Sequence, residues 1–541
     1  MKLNNILILL LSLALFGCQH KEKVDLLVYN ANIYTVDSNF AKVEAMAIKD
    51  GNIVELGTTQ EIIKKYKTLK SIDANGLFVY PGLIDAHCHF LSYAKSMKSV
   101  NLFGTKSFSE VVNRIVEFQK KEDLQFITGR GWDQNDWELK EFPNKFELDE
   151  LFPDVPVLIT RVDGHAILIN QAAIDFVGLK DTAILGGLIE KDENGKLTGI
   201  LIDNAVDLVE FPKMKRNVLV DVIDQAQKNC FAYGLTTLDD AGLDRESIDL
   251  IDSLQEANFL KMRLYAMVSD KPEFQEYYLK NGKIKTEMLN VRSFKFYADG
   301  ALGSRGACLS HPYSDKPDSQ GFLLSSQEHF NSSAEKMANS GWQMNTHAIG
   351  DSANRTMLGI YGKYGKGKRW RIEHAQVLTE SDFELFKRFE VMPSVQPTHA
   401  TSDMYWAGER LGEQRVKDAY AYKRLLDQFG KIALGTDFPI EDISTIKTFY
   451  AATIRKDWDG FPDGGFQFKD ALSREEALKG MTIWAAYSNF EEKEKGSLEP
   501  GKLADFVIMD KDWLNCTDDE ILDTKIINTY IGGKLVYQKT K

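Results

Sequence analysis

From residue 24 the chain opens in short runs where apolar and polar residues alternate or cluster: VDLLVYNANIYT, EAMAIKDGNIVELG and SIDANGLFVYPG. They are interrupted at Asp50-Gly51, Gly57 and Asn75-Gly76. Alternation bounded by turn residues predicts β-strands. The far end behaves the same way, in GSLEPGKLADFVIMDKD (496–512) and IINTYIGGKLVYQ (526–538). Neither end carries enough apolar surface to stand alone, so 24–80 and 496–541 are expected to combine into one small sheet domain.

Between the ends, compact apolar runs alternate with helix-like stretches. LIDAHCHF (83–90), GLTTLDDAG (234–242), RLYAMV (263–268), SFKFYADG (293–300), QMNTHAIGD (343–351), RIEHAQV (371–377), VMPSVQPT (391–398) and KIALGTDFP (431–439) are strand candidates. Amphipathic segments such as 216–234, 247–259 and 379–389 separate several of them. Strands joined by helical crossovers predict an α/β fold, a (β/α)8 TIM-like barrel over 81–495. The stretch after the first strand is too long for one crossover, and an α/β subdomain is expected to be inserted at about 101–203. A doubly wound sheet is the alternative.

Composition narrows the class. The 541 residues are 43% hydrophobic and 27% charged, with a net charge of −13. That suits a large globular enzyme and excludes a disordered or fibrous chain. An acidic balance argues against nucleic acid as a partner. Five cysteines are too few for a disulfide scaffold. At the amino terminus Lys2 precedes an apolar run, Ile6 to Phe16, too short to span a bilayer but the size of a signal-peptide core. The run ends in Leu15-Phe16-Gly17-Cys18, which resembles the lipobox of bacterial lipoproteins. Residues 1–17 are therefore expected to be removed, Cys18 to be lipidated and 18–23 to form a tether. The protein would then lie in the cell envelope, extracytoplasmic, with a lipid anchor as its only hold on the membrane. The other cysteines are expected to be mostly free and buried. Nothing opposes a homodimer.

Metal-type residues end several of these strands. His87 and His89 share one face of a strand because side chains alternate, and Cys88 faces away. Two imidazoles so placed can chelate. Lys295 lies between Phe294 and Phe296 in a strand expected to be buried on both faces. A buried amine tends to lose its proton and can then add carbon dioxide to give an anionic carbamate. Two divalent cations are nearly balanced by that carbamate, Asp437 and a hydroxide, whereas a lysinium ion would leave strong excess charge. The plainer alternative is a lysine that snorkels or pairs with Asp299. His347, His374 and Asp437 end three further strands, at the rim where barrel enzymes build their sites. Alone, either histidine would be an ordinary core or surface residue, and Asp437 a helix cap.

The ordered series PGLIDAHCH, FKFYADGALGSRGA, THAIGD, RIEHAQ, SVQPTHATSD, LGTDFPI and KGSLEPGKLADFVIMD resembles the amidohydrolase superfamily, in particular its type-3 branch, whose best-described activity is hydrolysis of N-substituted formamides. The resemblance implies that the two chain ends, 24–80 and 496–541, form a composite β-sandwich, that His87, His89 and Asp437 hold one metal and that His347 and His374 hold a second. A carbamate on Lys295 would bridge them. Zinc suits such ligands best, with iron or manganese also compatible. A metal-bridging hydroxide would attack the carbonyl of a small-molecule amide, with Asp437 as general acid and base, breaking a carbon–nitrogen bond other than a peptide bond. A deaminase or peptidase-like hydrolase of the same superfamily is the near rival. From another class comes a solute-binding lipoprotein, which would have two lobes and no cluster of metal-type residues. Trp132, Asp133, His165, Arg305, Gln396, His399 and Asp403 are candidate substrate contacts, with Ser304 in the same loop as Arg305. His20, His311 and His329 are read as non-ligands.

Overall fold

The computed structural model describes residues 21–540. The expected signal segment and Cys18 lie outside the described residues.

Eight parallel strands follow one another in chain order: Leu83–Cys88, Leu235–Leu243, Arg263–Ser269, Leu289–Tyr297, Gln343–Ala348, Arg371–His374, Met392–Val395 and Ala433–Leu434. The last meets the first. The Asp437 N–H donates to the His87 carbonyl at 2.8 Å, and the His89 N–H donates to the Phe438 carbonyl at 2.8 Å. These bonds close the cylinder, so the fold is the expected (β/α)8 barrel and not a doubly wound sheet, whose strand order would reverse at a switch point. Closure needs Gly435: a Cβ there would stand 2.5 Å from the His87 backbone nitrogen and 2.8 Å from an Asp85 carboxylate oxygen. Gly435→Ala should therefore cost about 1–3 kcal/mol, read as a lower urea midpoint. An unchanged midpoint would contradict this account of the seam.

Each barrel strand is buried on both faces, as parallel sheets covered by helices must be. In Leu289–Tyr297, Phe294 and Phe296 join the large apolar core outside the barrel, and Lys295 takes the opposite face. The covering helices follow local rules. Glu380–Phe389 starts at a Thr379–Asp382 capping box and buries Phe383 and Phe386.

Residues 100–203 build a separate six-stranded mixed sheet with its own core around Trp132, Trp137, Ile159 and Leu168. At the chain ends, Phe506–Met509 pairs antiparallel with Phe78–Pro81, bringing both termini into one six-stranded sheet. A four-stranded sheet from residues 26–73 packs on it through Val28, Met46, Val79, Leu498, Phe506 and Ile508. One part of the tether is corrected. Glu22–Lys23 forms a short strand parallel to Tyr66–Lys67, and the two make a two-stranded sheet of their own. Cys88, Cys230, Cys308 and Cys516 are free. No helix among the described residues is long and apolar enough to cross a membrane.

Candidate metal centre

Four imidazoles, a lysine and a carboxylate meet at the rim where the strands end. His87 is fully buried, with its Nδ1 2.6 Å from a Glu373 carboxylate oxygen and its Nε2 3.0 Å from the Lys295 Nζ. The Nδ1 of His89 lies 3.0 Å from the Ala241 carbonyl, and its Nε2 lies 3.3 Å from Asp437 Oδ1. In both rings the partner of Nδ1 fixes that nitrogen as the donor and leaves the Nε2 lone pair facing Asp437, the arrangement a metal-ligating histidine needs.

Strand alternation explains part of the set and local backbone explains the rest. Lys295 and His347 face inward by register. In Arg371–His374, alternation gives Arg371 and Glu373 to the barrel interior and would turn His374 outward. Instead the chain enters positive φ at His374 (72°) and Ala375 (44°), and the His374 ring comes to 4.6 Å from that of His347 and 4.9 Å from that of His87. Asp437 also has positive φ (64°). Non-glycine residues held there are uncommon and concentrate at functional sites.

Two groups of donor atoms emerge, His87 with His89 and Asp437, and His374 with His399 and Asp437, each with its ligand atoms within 4.8 Å of one another. Asp437 is shared. The site fits a cation by its own hydrogen bonding: Asp437 Oδ1, His374 Nδ1 and His399 Nε2 are buried with no partner. Burial costs such atoms a full desolvation penalty unless something occupies the space between them. Burial also pushes the pKa of His87 down to about 4 and that of Lys295 down to about 8, and holds His347 and His374 well below the usual histidine range. Burial opposes ionisation of Asp437 too, but the neighbouring His89, His87 and His399 side chains hold its pKa below the usual carboxylate range and keep it an anion. Neutral imidazoles around a carboxylate are the protonation state in which these groups bind metal.

Beneath the rim lies a buried ionic network. Arg371 donates through Nε to Glu373 at 2.6 Å and through Nη1 to Asp239 at 2.9 Å, and it also bonds the Ala86 carbonyl. Asn489 completes Asp239 at 2.6 Å. Lys295 does not pair with Asp299, whose carboxylate accepts backbone N–H bonds from Cys308, Ile349 and Gly350.

A cavity of about 950 Å3 opens over the rim. Its barrel side carries His89, Lys295, His347, His374, His399 and Asp437, and the inserted unit supplies Arg130, Asp133, Arg161 and His165. His165 stands with its ring 5.0 Å from that of His347 and its Nδ1 2.7 Å from Asp203. Asp133 pairs with Arg161, and Asp403 accepts from Gln376 and Tyr420 at 2.9 Å each. Three expected contacts, Trp132, Arg305 and Gln396, are corrected. Trp132 is wholly buried in the insertion core with its indole N–H on the Ile159 carbonyl, because a bulge at Gly131 turns it inward. Arg305 is held by Asp315 at 2.8 Å and does not line the cavity. Ser304 is buried, and Gln396 is buried with its amide unpartnered, also off the wall. His399, expected as a substrate contact, lies 3.6 Å from Asp437 Oδ2 as a further donor. His329 pairs with Asp270 at 2.6 Å, away from the centre.

A family model described as the amidohydrolase family matches residues 70–537. The protein LONG AFTER FAR-RED 3 of Arabidopsis thaliana is 32% identical over 95% of this chain and 91% of its own. An N-substituted formamide deformylase of Arthrobacter pascens is 24% identical over 95% of this chain and 99% of its own. Among solved structures, an uncharacterized metal-dependent hydrolase from Pyrococcus horikoshii is 29% identical, covers 91% of this chain and 99% of its own, and superposes with a TM-score of 0.76. A closed barrel in one piece, with metal-type residues on its rim, is not the two-lobed build of a solute-binding lipoprotein. The chain belongs to the amidohydrolase family and is one of its metal-dependent hydrolases.

Proposed function

We propose that the protein hydrolyses a carbon–nitrogen bond other than a peptide bond, in a small amide of the N-substituted formamide or N-acyl amine class. The observation that carries this reading is Asp437, a buried anionic carboxylate with one unpartnered oxygen, surrounded by imidazoles at the floor of an open cavity. The name of the Arthrobacter relative agrees with it.

Two divalent ions, zinc by preference, would be held by His87, His89, His347, His374, Asp437 and a carbamate formed on Lys295, with His399 as an additional donor. When bound they would polarise a carbonyl and lower the pKa of water towards neutrality. The chain's own part is proton handling and positioning. Asp437, kept ionised by its neighbours, accepts a proton as the oxygen of water joins the acyl carbon. It then gives that proton to the departing nitrogen, so that the C–N bond breaks to yield a neutral amine and an acid. His165, fixed by Asp203, reaches in from the insertion and is placed to donate to the substrate. Burial works against its cation, but the bond and charge of Asp203 prevail and raise its pKa.

We also propose that Cys18 is acylated and anchors the protein at an extracytoplasmic membrane face. The mass of the mature amino terminus checks this, and an intact segment 1–17 would refute it.

Chelation supplies the test of function. Dialysis against a strong chelator should abolish hydrolysis of N-formyl and N-acetyl amines, and zinc should restore it. The apoprotein should also unfold more readily, by about 2.7 kcal/mol where the metal stands at a hundredfold its Kd. Full turnover after verified metal removal would end this reading.

A further inference from the structure

We propose that the cavity wall supplied by the inserted unit is an anion subsite, in which Arg130 binds a carboxylate carried by the substrate away from the bond that breaks. The word substrate rests on the hydrolytic reading above, but the binding does not.

Arg130 belongs to Ile127–Trp132, whose register against Val157–Arg161 slips between Arg130 and Trp132. Gly131 is the extra residue, at φ 108°, where a Cβ would stand 2.4 Å from the Phe103 ring. The bulge undoes the alternation of the strand: Trp132 is sent to the core and Arg130 to the cavity.

There the guanidinium is left largely unanswered. Its Nη2 donates to the Val162 carbonyl at 3.1 Å, while its Nε is buried with no partner. Among the described residues no carboxylate reaches ion-pair distance of it. The two acids whose charge is felt, Asp437 and Asp163, are committed elsewhere. Asp437 faces the imidazoles, and Asp163 pairs with Arg161 and accepts the His165 N–H at 3.0 Å. Asp403 and Glu441, on the same cavity, accept from Tyr420 and Ser402.

Arg161 provides the contrast. It bonds Gln134 at 2.8 Å together with Asp133 and Asp163, as a buried structural cation does. Arg130 shares the wall but has no such set, and a partly desolvated cation without a partner is unfavourable. Gly164 packs beside it, where a Cβ would stand in ordinary contact at 3.5 Å from the guanidinium, and the cavity lies on its free side. A planar fork facing a cavity matches a carboxylate, which it can hold by two parallel hydrogen bonds. The ligand class is therefore an amide that also bears a carboxylate, such as an N-acyl amino acid.

The test is calorimetric titration of the metal-loaded protein with N-acetylphenylalanine and with its primary amide, which differ at the carboxylate alone. The wild type should bind the acid about 10- to 100-fold more tightly, the range of a charge-assisted bond. Arg130→Gln keeps a neutral, polar side chain but removes the charge and the fork. It should lose that preference while binding the amide within about twofold of the wild type. Arg130→Lys should keep part of it. The proposal is overturned if the wild type binds neither compound, if it shows no preference for the acid, or if Arg130→Gln retains the preference or weakens both ligands alike. Turnover followed in the same samples separates the two readings. Preference without hydrolysis leaves the subsite standing and removes the proposed reaction, and hydrolysis without preference does the reverse.

Discussion

Asp437→Asn should lower turnover of the best N-acyl or N-formyl amine by about 10³-fold or more while leaving the protein folded. Asparagine keeps the shape of the side chain but cannot accept the proton that water must lose or deliver one to the leaving nitrogen, and proton transfer of this kind contributes about 10²–10⁴-fold. The change also removes the anion shared by both donor groups, so the loss should lie towards the upper end. Circular dichroism would establish that the fold is kept, and steady-state rates would give the size of the effect. Activity within tenfold of the wild type would dismiss Asp437 from the reaction.

Glu373→Ala should be the most destabilising single change near the site, at about 3–5 kcal/mol. Glu373 and Arg371 are both fully buried, and deleting the acid strands a guanidinium whose remaining acidic partner is Asp239. The imidazole of His87 would lose the partner of its Nδ1 as well, so metal affinity should fall about 10- to 100-fold. Replacing Arg371, Glu373 and Asp239 together by apolar residues of similar size should recover much of the stability but not the metal affinity, because no buried charge is then left without its partner. The sign with pH follows from the carboxyl itself. Burial opposes its ionisation, yet Arg371 and His87 hold its pKa well below the usual carboxylate range. Its contribution is therefore complete above the ordinary value of about 4.3 and fades as pH falls through the folded value. Urea titrations at neutral and acid pH would show the gap between wild type and variant narrowing on acidification. A gap below about 1 kcal/mol at neutral pH would show that the network adds little.

Much of this was legible because the informative signals were periodic or positional. Strand runs with helical crossovers between them announced the barrel, and metal-type residues at their ends marked one rim. His374 was expected at the rim and His399 near it, but the geometry that brings them there escaped, because it arises where local backbone breaks the period. Alternation predicts that His374 faces away from Glu373, and only positive φ at His374 and Ala375 brings it to the rim. A bulge at Gly131 exchanges Trp132 for Arg130 on the cavity wall, and a glycine next to an arginine in a strand was the available hint. Glu373 and Arg371 were recoverable in principle, since they share the inward face of their strand. His399 sits on a short helix after the seventh strand, and no strand rule reaches it.

The central claim is that these side chains hold cations about a shared aspartate. Metal analysis of the purified protein, set beside the same analysis of His87→Ala and His399→Ala, tests it most directly. The account predicts stoichiometric divalent metal in the wild type and a clear loss in both variants, with their folds intact. Absence of stoichiometric metal from active wild-type protein, or full retention in His87→Ala, would contradict it.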